Sequence, residues 1–223
     1  MACQYTALVT GASRGMGAAI AQRLITDGYQ VLTPTRAEMD LESDASIDNY
    51  LASIDKNIDI IVNDAGINRI ASLENISAED IQDTLQVNLI APFHLIQAIT
   101  PFMKERKFGR IVNISSIWTM VSKPGRASYT MSKMAINGLT RALAVELAPH
   151  NILVNAVAPG FVLTDLTRQN NTKEELKKIS TSIPIQRIAS PDEIAPVVAF
   201  LCSEQNTYIT GQVIFVDGGF TCQ

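Results

Sequence analysis

The segment SYTMSK, residues 128–133, places a tyrosine four positions before a lysine. On an α-helix, positions i and i+4 share one face, so Tyr129 and Lys133 would lie side by side. A phenol has an ordinary pKa of about 10, and a neighbouring cation lowers that pKa by favouring the phenolate. The pair therefore predicts a tyrosine that exchanges protons near neutral pH. The spacing alone also fits a half-buried tyrosine beside a solvated lysine.

Two further polar residues precede this pair at positions that suit a catalytic site. Ser116 lies thirteen residues before Tyr129, in the segment IVNISS at the end of a predicted strand, with Ser115 as its neighbour. In doubly wound sheets, ligands bind outside the carboxyl ends of the strands. Asn88 lies inside a predicted helix, where asparagine is mildly unfavourable. A functional role would explain it, and the alternative is a polar residue that faces solvent.

A glycine-rich loop, TGASRGMG at residues 10–17, follows the first apolar run and opens the first predicted helix. Glycines allow the backbone to turn tightly and to approach a pyrophosphate closely. Free N–H groups and the helix dipole hold an anion at the same place. The loop therefore predicts a dinucleotide site, although a glycine-rich turn by itself is a weak signal.

The elements that position these residues are short apolar runs alternating with helical patterns. Continuous apolar runs are typical of strands buried on both faces of a parallel sheet. The predicted strands are 5–10, 29–33, 58–63, 109–115, 151–159 and 212–217, and the predicted helices are 15–27, 45–54, 79–105, 128–147 and 191–203. We expect a single α/β domain over residues 1–223, a Rossmann-type doubly wound parallel sheet of about seven strands with helices on both faces.

Some helix ends have local causes in the sequence. Gly28 would end the first helix because glycine tolerates a positive φ angle. Ser190, Pro191 and Glu193 predict a helix start with a capping box.

Composition excludes several classes of function. The net charge of −4 offers no basic field for nucleic acid. No apolar run reaches the roughly 20 residues of a membrane span, and the N-terminus lacks the features of a signal peptide, so we expect a cytoplasmic protein without membrane contact. Cys3, Cys202 and Cys222 have no metal-ligand spacing, which favours packing roles in a reducing compartment and predicts no metal.

The loop spacing resembles the T-G-x-x-x-G-x-G signature of the short-chain dehydrogenase/reductase family, with Thr10, Gly11, Gly15 and Gly17 in register. The resemblance extends from Thr10 to GQVIFVDGG at residues 211–219, and the C-terminal half is similar to 3-oxoacyl-(acyl carrier protein) reductases. It implies a catalytic set of Asn88, Ser116, Tyr129 and Lys133. The implied reaction transfers a hydride between a nicotinamide and a carbonyl carbon. Tyr129 would protonate the alkoxide and Ser116 would bind its oxygen. Lys133 would contact the nicotinamide ribose, and Asn88 would anchor a water for proton return.

The resemblance also implies the cofactor contacts. An acidic residue near Thr35 would select NAD, whereas Arg36 and Arg14 suit the 2′-phosphate of NADP, so we expect NADPH, with NAD as the alternative. Asp40 and Leu41 follow Arg36 almost directly, where the family usually has a helix, so this crossover is expected to be missing or reduced to a turn. NDAG, residues 63–66, is similar to the family motif N-N-A-G, with Asp64 in place of the second asparagine. The remaining expected contacts are Ser13, Met16, Asn63, Ala65, Gly66, Tyr129, Lys133, Pro159, Gly160, Val162 and Thr164.

The substrate is expected to be a small-molecule carbonyl compound bound beside residues 117–125 and 161–184. Trp118, Met120, Phe161 and Leu166 suggest apolar surface there. The cofactor preference favours reduction of a ketone, either a 3-oxoacyl group on a carrier protein or a sugar-derived or other small ketone. A non-catalytic NADP-binding regulator and an epimerase or dehydratase are further alternatives. Helices 79–105 and 128–147 carry more apolar residues than one buried face requires. In the resembled family these helices form the dimer and tetramer contacts, so we expect a homotetramer, with a dimer as the alternative.

Overall fold

Six parallel strands form one sheet in a computed structural model that describes residues 5–54, 57–169 and 171–223, apart from the side chains of Leu166 and Gln169. The strands are β1 (Thr6–Thr10), β2 (Gln30–Leu32), β3 (Ile60–Asn63), β4 (Gly109–Ile114), β5 (Ile152–Pro159) and β6 (Val213–Val216). Their order across the sheet is β2-β1-β3-β4-β5-β6, and every neighbouring pair is parallel. All six predicted strands are confirmed.

Eight α-helices accompany these strands in the described ranges. They are α1 (Gly15–Thr26), α2 (Asp44–Ser53), α3 (Ala78–Leu85), α4 (Ala91–Arg106), α5 (Ala127–Leu147), α6 (Asp165–Gln169), α7 (Lys173–Ser182) and α8 (Pro191–Cys202). The pattern over 79–105 predicted one helix, but a π-helical turn, Gln86–Ile90, separates α3 from α4. Such turns insert a residue into the helical ladder and often occur at functional sites.

The described residues form six strands instead of the expected seven or so. The difference arises in the short connection that follows β2. Residues 36–38 form a turn, and α2 follows directly and leads into β3. The expected shortening after Arg36 is therefore confirmed, and β2 is the edge strand of the sheet because no further strand pairs with it in the described chain.

The two faces of the sheet bury separate apolar cores. On one face, Ile20 and Leu24 of α1 pack with Ile194 and Val198 of α8. On the other face, residues of α2, α4 and α5 pack against the strands, and they include Ile47, Leu95, Ile96 and Leu147. A fully buried Leu or Ile side chain contributes about 1.5–3 kcal/mol through the hydrophobic effect. Cover on both faces explains why the central strands read as continuous apolar runs.

The helix ends follow the local signals. Gly28 has a φ of 93° two residues beyond α1, as predicted. At the start of α8, the Ser190 N–H donates to the Glu193 carboxylate at 2.9 Å, with Pro191 in the first turn. Helix α7 was not predicted, although Thr172 and Glu175 form a capping box that marks its start. In the ranges given above, no helix is long and apolar enough to cross a membrane.

Candidate active site

The candidate site lies at the carboxyl edge of the sheet, where the loops after β1 and β3 meet. The Thr10 hydroxyl at the end of β1 accepts hydrogen bonds from the backbone N–H groups of Asp64 and Ala65, at 3.2 and 3.1 Å. The Thr10 hydroxyl thus holds the ends of β1 and β3 together. The threonine of the glycine-rich loop therefore has a structural task that its sequence position alone does not reveal.

Two glycines of the loop are required by close contacts. Gly11 has a φ of 72°, and a Cβ atom there would lie 2.8 Å from the Cα of Ala65. A Cβ on Gly17 would lie 2.5 Å from the carbonyl oxygen of Gly11. Loop, strand end and helix start are therefore packed backbone to backbone, which brings the N-terminus of α1 to the edge of the sheet.

A pocket of about 360 Å³ opens at this edge. Twelve of the expected cofactor contacts line it: Thr10, Gly11, Ser13, Arg14, Gly15, Met16, Arg36, Asp40, Leu41, Ala65, Gly66 and Thr164. Its volume lies within the range of about 300–1,000 Å³ that is common for small-molecule sites. The glycine-rich loop and the N-terminus of α1 supply N–H groups, while Arg14 and Arg36 supply cations, so the lining fits an anionic dinucleotide.

Other expected contacts lie elsewhere. Gly17 is buried behind the pocket lining, against Gly11 and Asp64. The Asn63 amide donates to the Asn113 side chain at 2.8 Å inside the sheet, so Asn63 links β3 to β4 instead of facing the pocket. Gly160 packs against Asp217, where a Cβ would lie 2.8 Å from its Cα. Val162 is buried and pairs with Ala189. Pro159 ends β5, and the Tyr129 and Lys133 side chains stand beyond the pocket lining.

The sequence interpretation missed several residues that line the pocket. They are Ala12, Pro34, Thr35, Met39, Glu42, Asp64, Ile67, Val87 and Asp165. Most are direct neighbours of predicted residues, so the motifs located the segments while the loop conformations decided which side chains face inward. Asp64 carried a usable signal, because it is the position at which the chain departs from the N-N-A-G motif.

The two expected cations differ in their partners. Arg36 forms ion pairs with Glu42 at 2.7 Å and with Asp40 at 3.4 Å, and its side chain is 71% exposed. Arg14 is exposed at the start of α1 and has no side-chain hydrogen bond or ion pair with any residue that the structure describes. One guanidinium is thus already shared with two carboxylates, and the other is unengaged.

The catalytic candidates come together around Tyr129. The Lys133 Nζ lies 5.6 Å from the centre of the Tyr129 ring, so both side chains share one face of α5. The Ser116 side chain lies close enough to the Tyr129 phenol to lower its pKa. The predicted lowering of the Tyr129 pKa is wrong for the protein alone. Desolvation raises the pKa, while Ser116 and the Arg126 charge act less strongly in the opposite direction.

Lys133 is buried and donates a hydrogen bond to the Ile114 carbonyl at 2.7 Å. Desolvation lowers the pKa of Lys133 to about 8, and the charge of Asp64 opposes that shift. Desolvation also raises the pKa of Asp64 to about 7, against the influence of Lys133 and of a hydrogen bond from the Gly17 N–H. Two groups that exchange protons near neutral pH therefore face each other beneath the pocket.

Asn88 lies in the π-helical turn and is 2% exposed. Its side chain accepts from the Ile67 N–H and donates to the Ile67 carbonyl, both at 2.9 Å. It also donates to the Ser132 hydroxyl at 3.0 Å. Asn88 therefore joins the loop after β3 to α5, and a solvent-facing role is excluded.

An aromatic surface lies next to this group. The rings of Trp118 and Phe161 meet edge to face at 5.9 Å, and Phe161 meets Phe220 in the same way at 5.2 Å. The cationic groups of Lys123 and Arg126 lie 5.5 and 5.8 Å from the centre of the Trp118 ring. Trp118 and Phe161 were expected to supply apolar surface, and they do so together; the Leu166 side chain lies outside the described part of the chain.

Comparison with known proteins gives concordant matches. The model of the enoyl-(acyl carrier protein) reductase family matches residues 33–221. A 3-oxoacyl-[acyl-carrier-protein] reductase FabG of Aquifex aeolicus is 42% identical over 238 aligned positions, which cover 95% of each protein. The corresponding FabG of Staphylococcus aureus strain Mu50 is 38% identical, over 96% of this chain and 97% of the relative.

Solved structures agree over nearly the whole chain. A putative gluconate dehydrogenase from Agrobacterium tumefaciens superposes with a TM-score of 0.93 at 31% identity, covering 98% of this chain and 96% of that one. A 4-hydroxyisoleucine dehydrogenase complexed with NADH superposes with a TM-score of 0.93 at 29% identity, covering 99% and 100%. The chain therefore belongs to the short-chain dehydrogenase/reductase family, and it is an NAD(P)-dependent oxidoreductase that acts on CH–OH or C=O groups.

Proposed function

We propose that the protein reduces a ketone to a secondary alcohol with NADPH, and that the ketone is a 3-oxoacyl group carried by acyl carrier protein. The observation that carries this proposal is the contact of Tyr129 with Ser116 beside buried Lys133, next to a dinucleotide pocket. The relatives named above as 3-oxoacyl reductases support the substrate class.

Each residue of the group has a role that follows from its surroundings. A phenol with a raised pKa is protonated at neutral pH, so Tyr129 is poised to donate a proton to an alkoxide. Ser116 would hold the same oxygen by a hydrogen bond. Lys133 would stabilise the phenolate that remains, and Asn88 holds the loop and α5 together beneath them. The bound nicotinamide would supply the hydride.

Two cations support NADPH as the preferred cofactor. Arg14 is exposed at the pocket without a partner among the described residues, and Arg36 lines the same pocket. Guanidinium groups bind phosphate in a bidentate manner, which suits a 2′-phosphate. Asp40 and Glu42 share Arg36, so the preference over NADH should be moderate.

The aromatic surface beside Tyr129 supports an extended apolar substrate that is attached to a charged carrier. Trp118, Phe161 and Phe220 form one aromatic surface, and Lys123 and Arg126 lie over its edge. A 3-oxoacyl chain fits the aromatic part, and an anionic carrier fits the cations. A sugar-derived or other small ketone is the second candidate substrate, because a putative gluconate dehydrogenase shares 31% identity with this chain.

We also propose that the protein forms a dimer or tetramer. Helices α4 and α5, with the turn before α4, leave Ile90, Phe93, Met131, Met134 and Val145 exposed by 42–81%. Exposed apolar side chains on two long helices are typical of subunit contacts. Light scattering over a range of concentrations tests this, and a concentration-independent monomer contradicts it. A single domain over residues 1–223 and a cytoplasmic location belong to the same proposal, and Cys202 and Cys222 are free thiols in line with the latter.

The decisive experiment is a substrate panel assayed with NADPH and with NADH. A 3-oxoacyl thioester, a 2-enoyl thioester, a sugar-derived ketone and a simple aliphatic ketone are compared by loss of reduced-nicotinamide absorbance. The proposal expects the highest kcat/KM for the 3-oxoacyl thioester with NADPH. Preference for the sugar-derived ketone selects the second candidate. Reduction of the enoyl compound alone contradicts the assigned reaction.

A further inference from the structure

Asp64 is a carboxyl group in the wall of the dinucleotide pocket. Its backbone N–H donates to Thr10, and its Oδ2 packs against Gly17 at the start of α1, where a Cβ atom would lie 2.7 Å from that oxygen. Its second oxygen, Oδ1, is buried and accepts no hydrogen bond from any residue that the structure describes. Buried polar atoms are almost always paired, so this unpaired oxygen needs an explanation.

The similar family motif has an asparagine here, and the chemistry of the two side chains differs at Oδ1. An amide both accepts and donates, whereas a carboxylate only accepts. A protonated carboxylic acid donates one hydrogen bond through its O–H and accepts through its other oxygen, so like the amide it both donates and accepts. The neutral form of Asp64 is therefore the one that resembles asparagine.

The charged groups around Asp64 come from three elements. Lys133 and Tyr129 face it from α5, Arg14 lies exposed at the start of α1, and Asp165 lines the same pocket at the start of α6. Its hydrogen-bond partner on β1, Thr10, is uncharged. Desolvation raises the pKa of Asp64 to about 7, so the carboxyl exists in both forms near neutral pH.

We propose that Asp64 takes up a proton from solvent when a nicotinamide dinucleotide binds, so that the affinity of the pocket falls as the pH rises. A carboxylate in the wall of a pocket that receives a diphosphate repels that anion through a medium of low dielectric constant. Protonation removes the repulsion, and bound anions in turn favour the protonated acid. The inference rests on the assignment of this pocket to the dinucleotide, but not on the choice between NADPH and NADH.

The test measures binding instead of turnover. NADH is the probe, because it lacks the 2′-phosphate, whose second pKa near 6 would add its own titration. Calorimetry at pH 7 in two buffers of different ionisation enthalpy should show net proton uptake by the wild type and none by D64N. The Kd of the wild type should rise between pH 7 and pH 8.5 with a slope approaching about tenfold per pH unit, as for one linked proton. The Kd of D64N should change less than about twofold over that range.

Lys133 also titrates in this range, with a pKa of about 8. The wild-type residue Asp64 and the substitution D64N are therefore also compared in proteins that carry the K133M substitution. K133M should still take up a proton on binding NADH, and at higher pH, because the cation that lowers the pKa of Asp64 is gone. The double variant D64N/K133M should take up none. D165N is the matched control, since it removes an exposed carboxylate of the same pocket and should leave the pH dependence unchanged.

A difference infrared spectrum detects the protonated carboxyl group directly. Addition of NADH at pH 7.5 should produce the band of a protonated carboxylic acid, and D64N should lack it. NADH binding that is independent of pH, or proton uptake that persists in D64N/K133M, overturns the role of Asp64 and leaves the pocket assignment intact. Failure of both NADH and NADPH to bind at pH 6.5 overturns the pocket assignment and the proposed function with it.

Discussion

Buried charges lie at both edges of the sheet, and the two edges treat them differently. At the amino edge, the Arg110 guanidinium donates to the carbonyls of Gly109, Asn151, Ser203 and Asn206, at 2.8–3.3 Å. Nearby, Asp59 accepts from the Thr6 N–H at 2.9 Å and forms an ion pair with Arg106 at 3.1 Å.

At the carboxyl edge, the charged groups have fewer partners. Lys133 donates to the Ile114 carbonyl, while Asp64 Oδ1 and the Ser115 hydroxyl have no hydrogen-bond partner among the described residues. At the amino edge, the four carbonyl partners of Arg110 let that guanidinium fasten strand ends and loops. Under-paired groups at the carboxyl edge retain the ability to bind protons and ligands. The comparison predicts that substitutions at the amino edge cost stability and that substitutions at the carboxyl edge cost activity.

The largest effect is expected for Tyr129→Phe. Loss of the proton donor should lower kcat by about 10²–10⁴-fold with the preferred ketone, the usual contribution of a general acid. The Kd for NADPH should change little, because the Tyr129 side chain does not line the pocket. Stopped-flow turnover and fluorescence titration check the two quantities. Normal turnover by the variant would favour a different proton donor, and an unchanged biological role despite lost turnover would favour a regulator.

Arg110→Met tests the amino edge. The substitution removes hydrogen bonds to four carbonyls and leaves several of them buried, so the free energy of unfolding should fall by about 3 kcal/mol. The kcat of the folded fraction should equal that of the wild type. Urea denaturation measures the loss, and Arg23→Met is the control, since its exposed pair with Asp27 should contribute less than about 1 kcal/mol. A catalytic defect in Arg110→Met would break the comparison.

Asp64→Asn should stabilise the protein at the carboxyl edge in a pH-dependent way. The folded-state pKa of about 7 lies above the ordinary value of 3.8, so between these values the folded state binds more protons than the unfolded state. Wild-type stability should therefore fall as the pH rises across this window. The variant should be more stable by about 2 kcal/mol at pH 7.5, with the gap closing toward pH 4. Urea denaturation at pH 7.5 and pH 4 measures the difference in the free energy of unfolding. A difference that does not change with pH would contradict the raised pKa of Asp64.

The smallest effect is expected for Glu42→Gln. Removing the closer of the two carboxylates that pair with Arg36 makes its guanidinium more available to a 2′-phosphate, and an exposed ion pair contributes about 0.2–1 kcal/mol. The ratio of the NADH Kd to the NADPH Kd should therefore rise by about 1.4–5-fold. Glu38→Gln is the matched control, because that carboxylate accepts from Thr35 in the same loop. An equal change in both variants would exclude the Arg36 pair as the cause.

The fold could be predicted well where the pattern is local. The six apolar runs form strands, and Gly28, Ser190 and Glu193 mark helix ends, because β-branched runs and capping residues act over a few positions. Helix α7 was missed, since its apolar face is weak and only its capping box announces it. The π-helical turn at Asn88 was also missed, because the register of a helix changes there without a break in the apolar pattern.

In the candidate site, too, the features that depend on local spacing could be predicted and those that depend on distant segments could not. The spacing of Tyr129 and Lys133 determined that they share a helix face, and the glycines determined a tight turn before α1. The direction of the pKa shifts was decided by the tertiary structure, because desolvation depends on atoms from distant segments packed around each group. Sequence spacing determines which side chains can meet along a helix or a turn, whereas only the folded chain decides how much water and how many partners each charge retains.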